Sequence, residues 1–168
     1  MRGNVDNERA ALYSAELAAF DGTDLEAIIG QEFIAAGIQQ VTTGEWWPGP
    51  AIEVRPARAN SRSSSTCCDV EVGAGTAAII RLVPEQATIA TAAHELAHAL
   101  AGVAAGHGPV FRRAYLDVVA VITNLDSTDR RHDLHVSQLR EALTTRGLRE
   151  GDRKWAAPRA ELLGPIAL

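Results

Sequence analysis

The chain has 168 residues, 46% of them apolar, and a formal net charge of −5 at pH 7. That length suits one domain, at most one with an appendage, and no run of about 18 apolar residues offers a membrane span. The mild acidity disfavours nonspecific binding to nucleic acid. Asn4, Asp6, Asn7, Glu8 and Arg9 interrupt the N-terminus, which lacks the basic start and apolar core of a signal peptide, so the expected location is cytoplasmic.

In chain order, Asn7 to Phe20 reads as an amphipathic helix with Ala11, Leu12, Ala15, Leu17, Ala18 and Ala19 on a broad apolar face. Asp21-Gly22-Thr23-Asp24 is a break, with Thr23 or Asp24 capping a second helix toward Ala36. Thr42 to Pro50 is a loop holding Trp46 and Trp47, which either plug the core edge or line a groove. Three strands follow: Ala51 to Arg55, Cys67 to Val72, and Ala77 to Val83. The short Gly73-Ala74-Gly75 turn makes the last two antiparallel neighbours. Cys67 and Cys68 are adjacent, a spacing that strains a disulfide, so two free thiols are expected.

The next segment carries the chemistry. Ile89, Ala93, Leu96, Leu100 and Val103 recur at helical spacing, with Thr88 or Thr91 as cap and Gly106 as stop. On the opposite face, His94 and His98 lie one turn apart, as two ligands to one ion must. Glu95, about 100° round the helix from His94, is placed as a general base for a water held at that ion. A catalytic zinc takes three protein ligands and keeps one position open. Gly102 removes a side chain one turn beyond His98, Gly106 can reverse the chain, and His107 follows directly, before Gly108-Pro109 opens another helix as far as Thr123. His107 is the expected third ligand; Asp117, on that following helix, is the rival. For stabilising a developing oxyanion, Tyr115, His132, His135 and the loop arginines are candidates, the two histidines reading more readily as surface residues.

The stretch HELAHALAGVAAGHGPVF, His94 to Phe111, resembles the SprT-like and mini-zincin metallopeptidases, and looks closest to a small group of metallohydrolases from actinobacteria and their phages. The resemblance covers about Ile79 to Asp117. It implies His94, His98 and His107 as zinc ligands, Glu95 as catalytic base, and Phe111 as a packing residue behind the turn. The connection from His98 to His107 is shorter than in typical SprT proteins, and no Cys-rich zinc ribbon follows.

Beyond Asn124, Asp126 to Arg131 is a charged link, Leu134 to Thr145 a helix ended by Gly147, and Arg149 to Leu168 an irregular tail anchored by Trp155, Leu162 and Leu163. The fold expected is α+β: a small, mostly antiparallel three-stranded sheet packed with N-terminal helices and the zincin-like HExxH helix. Residues 1–124 form that domain, and residues 125–168 a helical C-terminal extension packed on it. The function expected is zinc-dependent cleavage of a peptide or amide bond in a peptide or protein substrate. The alternatives are a noncatalytic zinc-stabilised module and a SprT-like protease acting on nucleic-acid-associated proteins. The basic residues from Arg130 onward would then bind the nucleic acid.

Overall fold

The tight turn after Val72 folds two strands back on each other. They are β2 (Ser65–Val72) and β3 (Gly75–Leu82), paired antiparallel. A third strand, β1 (Ile52–Pro56), joins the far side of β3, and this pairing is parallel. The order β1-β3-β2 makes the sheet mixed, not mostly antiparallel as the sequence suggests. The loop after β1 carries the chain past the place beside β1, so that β3 inserts between the other two. Strand composition reflects these positions. Central β3 buries the continuous run Ala77 to Ile80, as a strand covered on both faces does, whereas edge strand β2 alternates between exposed and half-buried residues.

The computed structural model describes residues 3–124 and 132–158, and over them the chain is a mixed α+β fold. The first helix, α1 (Gly3–Phe20), buries Leu12, Ala15, Ala19 and Phe20, while Leu17 faces solvent. The single helix expected from Thr23 toward Ala36 is instead a short 3-10 turn at Asp24–Glu26 and a separate helix, α2 (Gln31–Thr42). Gly30, at φ 96°, sits in the left-handed half of backbone space and breaks helical continuity at that point. The segment between docks on the sheet end, where Ile29 N–H donates to the Ala87 carbonyl and Gln31 Nε2 to the Leu82 carbonyl.

Three more helices complete the described chain: α3 (Ile89–Ala101), α4 (Pro109–Ile122) and α5 (His132–Thr145). Leu139, Ala142 and Leu143 of α5 lie in the same apolar core as Leu12, Leu96, Phe111 and Ile80. Trp46 is buried and donates its indole N–H to the Ala156 carbonyl, which ties the C-terminal segment to the core edge. The link Asp126 to Arg131 and the anchors Leu162 and Leu163 lie outside the described residues. Among the described residues, no helix is long and apolar enough to cross a membrane.

Candidate metal centre

Local sequence explains how α3 presents its histidines. Thr88 caps the helix, its hydroxyl accepting from the Thr91 N–H at 3.1 Å. Ala93 and Leu96 are fully buried behind, while Val103, counted by its spacing on the same stripe, is exposed beyond the helix end. The helix stops at Ala101, earlier than Gly106. Gly102 takes φ 81°, and a single 3-10 turn, Val103–Ala105, leads to Gly106 at φ 53° and ψ −133°. No heavy atom lies within 4 Å of where a Gly102 side chain would begin, so this glycine serves the turn and not a close approach. The reversal at Gly106 brings His107 back toward α3. Arg112, nearly buried on α4, then holds the turn: Nη1 donates to the His107 carbonyl at 2.8 Å and Nε to the Arg149 carbonyl at 2.7 Å.

The result is a cluster in which His94, His98 and His107 each offer one nitrogen, all within 4.8 Å of one another. His107 Nε2 is 3.2 Å from His94 Nε2 and 3.2 Å from His98 Nε2. Around an ion with Zn–N bonds of about 2.0–2.1 Å, a tetrahedral edge is about 3.3–3.4 Å. Hydrogen bonding alone serves this cluster poorly. Glu16 Oε1 lies 2.5 Å from His94 Nδ1 and favours a proton there, so in the neutral ring the lone pair is on Nε2, 3.2 Å from His107 Nε2. A single proton on His107 Nε2 can serve only one of its two contacts well. A shared cation accepts all three lone pairs, so these residues fit a metal ion.

The electrostatics agree with that donor set. Burial, reinforced by the neighbouring imidazoles, pushes the His98 pKa down to about 3 and that of His107 down to about 4, so both are neutral at pH 7. Burial presses His94 the same way, but the charge and hydrogen bond of Glu16 outweigh it and hold its pKa above the ordinary value. Tyr115 is a fully buried phenol whose pKa is raised well above its ordinary value, first by burial and then by the nearby Glu16. His98 Nδ1 is buried without a partner among the described residues, and its ring is braced by Phe111 at 4.4 Å between centroids.

Glu95 is buried next to this cluster. The Thr66 hydroxyl on β2 lies 2.7 Å from Glu95 Oε2 and 2.9 Å from the Glu95 carbonyl, donating to one at a time. Burial raises the Glu95 pKa, with His94 and Thr66 pulling the other way. A cavity of about 310 Å³ opens beside His94 and Glu95, walled also by Tyr13, Glu16, Glu26 and Tyr115.

Comparison with protein-family models, curated proteins and solved structures finds no match to this chain.

Other sequence expectations resolve differently. Asp117 is no ligand: it is buried in α4 and grips Arg153 through two bonds of 2.7 and 2.8 Å, with Trp155 Nε1 at 3.0 Å. His135 is not a surface residue but is buried against Phe20, and it lies outside the cavity. The side chain of His132 lies outside the described residues. Arg58 and Arg62 are exposed, and neither they nor the Trp46–Trp47 pair line the cavity. Cys67 and Cys68 are free thiols and stand apart from the histidine cluster. Sequence reasoning missed Glu16, Thr66 and Tyr13, because no spacing links them to the motif. One signal existed for Glu16: it sits four residues from both Leu12 and Phe20, a carboxylate on the buried face of an amphipathic helix.

Proposed function

We propose that the protein is a zinc-dependent hydrolase of peptide or amide bonds, in the manner of the SprT-like and mini-zincin metallopeptidases that its motif resembles. The observation that carries this reading is the convergence of three imidazole nitrogens, His107 Nε2 lying 3.2 Å from each of the other two, with Glu95 buried beside them. Glu95 also distinguishes hydrolysis from a purely structural site, which needs no base. When bound, the ion supplies Lewis acidity, acidifying a water and polarising a carbonyl.

The chain's own residues do the rest. Glu95, its pKa raised by burial, takes a proton from the attacking water and delivers it to the leaving nitrogen. Thr66 orients that carboxylate, and Glu16 fixes the tautomer of His94. Edge strand β2 carries Thr66 and lies against α3, so an extended substrate pairing with its free edge would pass the cavity mouth. Two basic residues of the C-terminal segment are paired at the surface, Arg140 with Glu150 and Arg153 with Asp117, which lowers the free positive charge available to nucleic acid.

The test is metal content of protein purified without added metal, followed by hydrolysis of a mixed peptide library read by mass spectrometry. One equivalent of zinc, and cleavage that disappears in Glu95→Gln while zinc remains, is the expected result. Zinc without cleavage in either protein would leave the ion pinning helix to turn. Absence of any bound metal would remove the reading.

A further inference from the structure

We infer that Tyr13 of α1 is a catalytic residue of this site, its phenol donating a hydrogen bond to the carbonyl oxygen on which negative charge develops during cleavage; the inference rests on the hydrolase reading above. Tyr13 comes from a distant helix yet lies over the metal cluster. Its ring stacks on His94 at 5.9 Å and meets His107 edge-on at 5.7 Å. It walls the same cavity as Glu95, from α1 where Glu95 belongs to α3. That cavity meets the histidine cluster through His94 and is not walled by His98 or His107, so a carbonyl entering beside His94 has the base on one element and the phenol on another.

The hydroxyl is also directed. Arg9, one turn earlier on α1, donates from Nε to Tyr13 Oη at 3.2 Å, and its guanidinium carbon lies 5.4 Å from the ring centroid. An oxygen that accepts from Arg9 has its own proton free to donate elsewhere. The second of the chain's two tyrosines does not have this freedom, since Tyr115 is only 1% exposed. Tyr13 is 43% exposed and walls the cavity, so its side chain is open to an incoming chain. During the reaction the water oxygen bonds to the carbonyl carbon as the C–N bond breaks. Glu95 carries the proton from water to nitrogen, and Tyr13 donates a hydrogen bond without giving up its proton. Arg9 is a positioning residue for that phenol.

The test compares wild type with Tyr13→Phe, which keeps the ring against the histidines, and with Arg9→Gln. Three quantities are read: zinc stoichiometry, steady-state cleavage of a peptide taken from the library, and binding of a phosphinic tri-alanine pseudopeptide by calorimetry. The phosphinate oxygen stands in for the developing oxyanion. Tyr13→Phe is expected to retain full zinc and nearly unchanged KM, and to lose kcat by about 10²–10³-fold. It should bind the phosphinate about 10- to 100-fold more weakly, as loss of one hydrogen bond to a charged group predicts. Arg9→Gln should fall between it and wild type. Unchanged kcat and phosphinate binding in Tyr13→Phe overturns the assignment while leaving the hydrolase standing. Loss of zinc in Tyr13→Phe also overturns it, because the phenol would then serve the site's structure. Zinc-loaded wild type that neither cleaves peptides nor binds the phosphinate overturns the hydrolase reading itself.

Discussion

Two carboxylates one helix apart in the fold have opposite duties, and their surroundings separate them. Glu95 is desolvated and held by one neutral hydroxyl, which leaves it able to take a proton. Glu16 receives His94 Nδ1 and orients that ring. Different losses follow. Glu95→Gln should reduce kcat by about 10²–10⁴-fold with zinc content unchanged, measured on the same preparation by mass spectrometry and peptide cleavage. Glu16→Gln should weaken zinc binding by about 10- to 100-fold, as loss of a carboxylate behind a histidine ligand does, read by competition with a chromogenic chelator. Equal zinc affinity in that variant would show that His94 needs no orienting partner.

At the level of elements, the turn between α3 and α4 decides whether there is a site at all. Gly106, at φ 53° and ψ −133°, occupies a backbone region that residues with a side chain avoid, and no neighbour would clash with a Cβ there. Gly106→Ala should therefore cost about 1–3 kcal/mol through backbone strain alone. It should also lower zinc occupancy by displacing His107; urea unfolding of chelator-treated protein isolates the first effect, and metal analysis the second. Retained stability and full zinc would mean that the turn has an alternative path. This turn was legible in the chain because glycine, histidine and proline fall in immediate succession, and each type constrains the backbone locally. The helices α3 and α4 were legible from periodicity for the same reason. The pairing of β1 with β3 was not: a parallel pairing is made by the path of a loop, and residues 57–64 carry no mark of that path. Nor did the sequence divide the segment from Thr23 to Ala36, where Gly30 could equally have been tolerated inside a helix at a modest cost. Within the site, ligands close in sequence could be found by spacing, whereas Glu16 and Thr66 reach it only through tertiary packing.

Over the whole molecule, burying neutral imidazoles couples stability to pH. As pH falls below 6.5, an unfolded chain takes up protons on His98 and His107, while the folded, metal-free chain resists until about 3 and about 4 respectively. Stability from these two groups is complete above their unfolded value and is lost as pH drops through that window. His94 and Glu95, both raised, act in the opposite sense: what they contribute is present in acid and lost as pH rises through their folded values. Urea unfolding of chelator-treated protein from pH 7 to 4 should show His98→Gln/His107→Gln with a shallower acid decline than wild type. Parallel curves would mean that the imidazoles are solvated once the ion is gone. With zinc present, added stability grows as RT ln(1 + [Zn]/Kd) and should shrink on acidification as protons compete for the same nitrogens.

The brace on the His107 turn reaches Arg149, far downstream of the donors it steadies. On a ribosome, all three donor nitrogens are therefore made well before the residue whose carbonyl anchors Arg112. Until synthesis reaches the C-terminal segment, the turn that carries His107 lacks half of this brace, so the three-imidazole frame gains its rigidity late.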